Sequence, residues 1–189
     1  MSSSVRGCMV VVTAPSVEPV GHQALAHPAS PRPGWLAHPV QRLTPGDVAC
    51  WVLKTSRPPA EIAPGWRPGA ERELTRCVLP SYRLGLMAGG QPCLLWVSGR
   101  EHPGVHALGV VAGDVSPTEG GPVVPVRLTL LTEHVGRGEL MADPIARAAE
   151  VLRMPAGSNP SWLSGPQFAA VLARVHDADP VPGLRPWSP

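Results

Sequence analysis

The chain has 189 residues, 43% of them hydrophobic and 16% charged, with a formal net charge of +2. That length suits one domain with flanking tails. The composition excludes a disordered charged chain, and the small net charge excludes a protein that coats nucleic acid by neutralising many phosphates.

Residues 1–45 carry seven prolines, and their only charged side chains are Arg6, Glu18, Arg32 and Arg42. No apolar period lasts there, so the segment reads as a Pro/Ala-rich tail, with Trp35 and Leu36 as local docking points. Residues 178–189 repeat the pattern with Pro180, Pro182, Pro186 and Pro189. Between these tails the domain is expected over 46–177.

Val48 to Lys54 is a short apolar strand bounded by Gly46-Asp47 and by Thr55-Ser56-Arg57-Pro58-Pro59. Ser81 to Met87 is expected as a short helix before Gly89-Gly90. Pro92 to Val97 is a second strand, left through Ser98-Gly99. Val105 to Val111 is a third, loosened by Gly109. Val123 to Thr132 is the longest, with Val126, Leu128 and Leu130 on one side and Arg127 and Thr129 on the other; Pro125 places its first half at a sheet edge. The last three strands are close in sequence and should pair as an antiparallel meander. Asp143-Pro144 begins a helix with Ile145, Ala148, Ala149 and Leu152 on its apolar face. Ser164-Gly165-Pro166-Gln167 is a capping box that opens a final helix, with Phe168, Val171, Leu172 and Val175 as its stripe. The fold class is therefore α+β, a small, partly open β-barrel with peripheral helices.

The cysteines Cys8, Cys50, Cys77 and Cys93 lack metal-type spacing and read as free thiols of a cytoplasmic protein. The apolar run from Cys8 to Val12 is too short for a signal segment, and no apolar run reaches the roughly 18–20 residues of a membrane span. Of 16 Lys+Arg only Lys54 is lysine. The scattered arginines reflect a GC-rich bacterial coding bias rather than an arginine-rich arm.

No nucleophile elbow, H-E-x-x-H motif or phosphate loop is present. His102 and His106 are separated by Pro103-Gly104 and cannot share a helix face, so they read as a surface loop rather than a metal site. No catalytic residue, metal or cofactor is expected. Trp51 and Trp96 lie in apolar strands, where core packing competes with a binding role; Trp96 stands at the strand exit beside Ser98-Gly99-Arg100. Trp66 lies in the loop Ala63-Pro64-Gly65-Trp66-Arg67-Pro68-Gly69, where a Trp beside polar groups suits stacking of a planar base. Lys54 is either a solvated strand-end lysine or a cation for a phosphate, with Thr55 and Ser56 as donors to a base or backbone.

Trp51-Val52-Leu53-Lys54-Thr55 resembles the opening W-L-L-K-S strand of EVE domains. Arg76 through Met87, with Tyr82-Arg83 before Gly89-Gly90, resembles that family's V-R-N-Y-x-A-R segment. Leu94 to Gly99 resembles its V-L-F-Y-H-S strand, and Val105 to Asp114 its G-I-V-G-I-A-x-V strand. Gly157-Ser158-Asn159-Pro160 before a capped helix resembles its C-terminal segment. The resemblance runs from Gly46 to Val175. It implies a PUA-like barrel, related to YTH and ASCH domains, with a pocket for a single flipped, modified base of DNA or RNA. Carried over, the pocket residues are Lys54, Thr55, Trp96, Ser98 and Asn159. The family's Trp before the Tyr82 segment is replaced by Glu73-Leu74-Thr75-Arg76, and its Gly-Asp turn by Gly90-Gln91, so Trp66 is the candidate for the missing wall. The implied function is a modified-base reader without catalysis, with an effector protein as a further partner. A PUA-like RNA-binding module without modification preference, and a small-ligand protein or enzyme on the same barrel, are the alternatives.

Overall fold

The computed structural model describes residues 42–175. The expected tails, with Trp35 and Leu36, lie outside the described residues, apart from Arg42 to Pro45. Six strands form one mixed sheet among the described residues: β1 (Cys50–Thr55), β2 (Glu71–Cys77), β3 (Pro92–Val97), β4 (Gly104–Val111), β5 (Val123–Gly136) and β6 (Ser161–Leu163). Their spatial order is β2-β5-β4-β3-β1-β6. The expected meander is β3-β4-β5, antiparallel throughout. β1 joins it parallel to β3, with Lys54 opposite Trp96 and Thr55 opposite Val97. The C-terminal ends of these two strands therefore share one rim.

Alternation in β1 serves two cores. Trp51 and Leu53 face one with Trp66, Met87, Cys93, Leu95, Ala107, Val111, Val124, Val126 and Leu128. Cys50 and Val52 face the other with Leu94, Trp96, Val105 and Leu108. A strand buried on both faces reads as an unbroken apolar run, which is how β1 and β3 look in the sequence. Helices α2 (Arg137–Ala142), α3 (Glu150–Arg153) and α4 (Gly165–Leu172) cover the second core through Leu140, Val151, Leu152, Phe168 and Val171. A four-residue helix, α1 (Pro59–Ile62), follows β1.

The sheet is not closed by backbone pairing. Asn159 bridges β1 and the end of β2 instead, and its backbone carbonyl also accepts from the Leu79 N–H at 2.6 Å. Asn159 Oδ1 accepts from the Lys54 N–H at 3.0 Å, and its amide donates to the Cys77 carbonyl at 3.1 Å. The end of β1 and the end of β2 are thus pinned together across a gap where no strand ladder forms.

Several local expectations change. The Ser81–Met87 segment is a 3-10 turn over Tyr82–Leu86. The expected helix after Asp143 breaks into a 3-10 turn, Ala146–Ala148, and α3, because Ala149 is extended at φ −62, ψ 142. Its buried residues become Ala146, Ala149, Val151 and Leu152, while Ile145 turns outward. Asp143 still caps it, Oδ1 accepting from the Ile145 and Ala146 N–H groups at 2.7 Å each. β5 extends to Gly136 and is central, between β2 and β4. Pro125 is tolerated because its missing donor would point past the end of β4, where the Ala112 N–H donates to the Pro125 carbonyl at 2.9 Å. Gly109 does not loosen β4; a Cβ there would fall on the Arg127 carbonyl oxygen, so the residue permits close strand approach.

Candidate nucleic-acid interface

The shared rim of β1 and β3 opens into a cleft of about 620 Å³, lined by Ser56, Pro58, Val97 to His102, His106 and His134. Two of the expected site residues, Ser56 and Ser98, line it. Thr55 stands directly behind. Its carbonyl accepts from the Ser98 N–H at 2.7 Å, and its hydroxyl accepts from the Arg57 N–H at 3.1 Å. Thr55 therefore ties the two strand exits together and shapes the turn that carries Ser56.

Lys54 and Asn159 are brought together, but in a different setting. The Lys54 ammonium donates to the Pro155 carbonyl at 3.1 Å and to the Gly157 carbonyl. Burial moves the amine below its ordinary value, the Arg83 charge adds to that, and Glu150 opposes it. These two residues clamp the segment between α3 and β6 onto β1.

The two tryptophans go to opposite cores. Trp96 is 3% exposed and packs beneath the helices. The space left beside it, bounded by Val52, Leu94, Val105 and Leu140 among others, is about 10 Å³, room for about one water and not for a base. Trp66 is 6% exposed, and its indole donates to the Ala70 carbonyl at 2.8 Å. The loop that carries it folds back over the barrel core, so Trp66 does have a core to fill. Neither ring faces the cleft.

The aromatic surface of the cleft is imidazole. His106 and His134 stack with ring centroids 4.8 Å apart and planes 17° apart, and His102 meets His134 edge-on at 5.3 Å. A register shift in β4 between Val105 and Ala107 accommodates His106. A Cβ on Gly104 would fall on the Val135 carbonyl oxygen, so glycine there lets β4 start hard against the end of β5 and sets the two histidines side by side. Sequence spacing paired His102 with His106 but gave no sign of His134, which arrives through β4–β5 pairing. Among the described residues, no group of three His, Cys, Asp or Glu side chains is placed to hold a metal ion. Cys50 and Cys93 are buried and Cys77 is exposed, all as free thiols.

Arg100 lines the cleft. Arg57 follows Ser56 and is near enough to Arg76 for the two charges to repel; burial and that repulsion hold the Arg76 guanidinium below its ordinary value. The buried Arg76 Nε has no hydrogen-bond partner among the described residues.

No protein-family model matches the chain, and no curated protein matches it. Solved structures do. A protein of Leishmania major superposes with a TM-score of 0.52 at 16% identity, covering 67% of this chain and 94% of that one. A protein of Pseudomonas syringae gives 0.50 at 18%, covering 66% and 98%. Human THYN1, in complex with 5-methylcytosine-containing DNA, gives 0.44 at 13%, covering 69% and 99%. The fold is α+β, an open mixed sheet with few helices, and it is shared with the Leishmania major and Pseudomonas syringae structures. Among the described residues, no helix is long and apolar enough to cross a membrane.

Proposed function

We propose that the chain is a nucleic-acid-binding module that captures a single flipped, modified base in the rim cleft. One observation carries the reading: the cleft joins the imidazole rings of His102, His106 and His134, the hydroxyls of Ser56 and Ser98, and the Arg100 guanidinium in one concavity. Its volume falls within the roughly 300–1,000 Å³ of small-molecule sites. Histidine rings serve as stacking surfaces for unstacked bases, and hydroxyls bond base edges. Arg100, with the exposed Arg57 next to Ser56 in the chain, supplies phosphate contacts that position the strand without reading sequence.

The mechanism requires no bond-making. Extruding a base costs a few kcal/mol, less from a single strand. Stacking on an aromatic plane returns about 1–3 kcal/mol, and a methyl held against a ring adds about 0.8 kcal/mol through its apolar area. Discrimination is then several-fold per methyl, which suits a low-charge module that reads one nucleotide and works beside an effector protein.

Fluorescence anisotropy with short single-stranded oligonucleotides tests the reading, comparing one 5-methylcytosine with cytosine and one N6-methyladenine with adenine, each in DNA and in RNA. One modified strand is expected to bind several-fold tighter than its plain counterpart. Equal affinity for modified and plain strands would replace this reading with an unselective nucleic-acid module. Absence of binding to every strand would remove it.

A further inference from the structure

His102 holds a left-handed backbone at φ 47, a conformation that costs an L-residue free energy and concentrates at functional sites. Its carbonyl oxygen lies 2.7 Å from His106 Nε2. A carbonyl only accepts, so that nitrogen carries the proton, and Nδ1 of His106 is left as the titrating position. The three rings lie together on one wall of the cleft, and among the described residues they form no metal-binding group.

Charges facing this wall are few. The loop between β3 and β4 contributes Arg100 and Glu101, β4 and β5 contribute His106 and His134 themselves, and the turn after β1 contributes the neutral Ser56 and Pro58. Burial pushes the His106 imidazole below its ordinary value, and the nearby His134 and His102 add to this, against the hydrogen bond that His106 donates to the His102 carbonyl. Multiple imidazolium charges repel at these ring distances. An anion placed between them reverses the balance.

We infer that the imidazole trio is a phosphate seat that fills with uptake of a proton, its ligand class being the phosphate mono- or diester of a nucleotide. This rests on the reading of the cleft as a nucleotide site and adds which part of the nucleotide the imidazoles hold. The anion raises the imidazole pKa in the complex. Protons are therefore bound on association in the window between the free and bound values, and affinity climbs as pH falls through it. One proton taken up gives up to about tenfold per pH unit.

The experiment has two arms on the full chain. In the first, imidazole 15N signals are titrated with pH, with and without inorganic phosphate, using His102→Asn and His134→Asn to assign the trio against His22, His27, His38 and His176. Phosphate is expected to move at least one trio midpoint upward. Unmoved midpoints, or the same movement after both substitutions together, would overturn the phosphate seat. In the second arm, calorimetry in two buffers of different ionisation heat compares 5-methyl-2′-deoxycytidine with its 5′-monophosphate at pH 6.0 and 7.5. The monophosphate is expected to gain about tenfold over the nucleoside at the lower pH, with proton uptake. Equal affinity of the two at both pH values would overturn the seat. The base reading is judged separately by the oligonucleotides: modification preference without proton linkage leaves that reading standing and removes the phosphate seat, whereas midpoints moved by phosphate with no oligonucleotide binding do the reverse.

Discussion

Trp96 shows how far one side chain can be placed from sequence. Its strand, its position opposite Lys54 and its nearness to Ser98 were all legible in the order of motifs. Which face its ring takes was not, because every residue of β3 is buried and an unbroken apolar run carries no parity signal. With the ring beneath the helices, Trp96→Ala is expected to cost about 3–5 kcal/mol of stability by opening a cavity. Urea unfolding checks it; a variant that melts normally yet loses oligonucleotide binding would return the ring to the pocket wall. Asn159 was expected in the site through resemblance alone, and its bonds make it a clamp. Asn159→Ala leaves the Lys54 N–H and the Cys77 carbonyl without their partner and is expected to cost about 1–3 kcal/mol, read by the same unfolding curve. The arginine in the cleft acts on binding instead. Arg100→Ala is expected to weaken all oligonucleotides alike and to lower the salt dependence by about one counterion, measured by anisotropy across a salt series.

At the scale of elements, what the sequence hid has a common cause. Among the described residues β2 is an edge strand paired with β5 alone, and its residues Glu71-Arg72-Glu73-Leu74-Thr75-Arg76-Cys77 carry a single large apolar side chain. Nothing in that run announces burial, so no strand was expected there. β6 is three residues long, too short for any period. The helix after Asp143 was read by 3.6 spacing, but a 3-10 turn comes first and rotates the apolar face. A polar junction adds to the apolar packing that holds this helical layer to the sheet. The Arg83 guanidinium donates to both Glu150 oxygens at 2.7 and 2.8 Å, and the Ser161 hydroxyl donates to Glu150 at 2.7 Å. Burial alone would raise the Glu150 carboxyl, but the bonds from Arg83 and Ser161, with the charges of Arg83 and Lys54, hold it below its ordinary value. A carboxyl depressed in the folded state stabilises above its unfolded pKa, and that contribution disappears as pH falls through the folded value. Glu150→Gln should therefore be less stable than the parent chain near pH 7. The gap should close as pH drops below about 4, and thermal melts across that range measure it.

For the whole molecule, the path of the chain explains both what could be foreseen and where the domain begins. The parallel placement of β1 beside β3 put the Lys54-Thr55-Ser56 and Ser98 segments on one rim, as the order of motifs implied. The third histidine came from pairing between the start of β4 and the end of β5, a long-range register that local spacing does not encode. The N-terminal boundary follows from packing on the barrel. Leu43 packs against the barrel core, its N–H donates to the Tyr82 hydroxyl at 3.1 Å, and Arg42 lies over the Tyr82 ring at 5.3 Å. Thr44 donates to Asp47 through both its N–H and its hydroxyl, at 2.8 and 2.6 Å, fixing the turn that leads into β1. A boundary at 46 removes all of these. We propose 42–177 as the folding unit, with the fragment 46–177 folded but weaker. Partial loss of Leu43 burial is worth about 1 kcal/mol, which for a domain of this size lowers the melting temperature by about 3–6 °C. Differential scanning calorimetry of the two fragments and the full chain decides it. The 42–177 fragment is expected to melt within a degree or two of the full chain and the shorter one clearly below. Equal melting of the two fragments would show that Leu43 and Thr44 contribute nothing to the barrel.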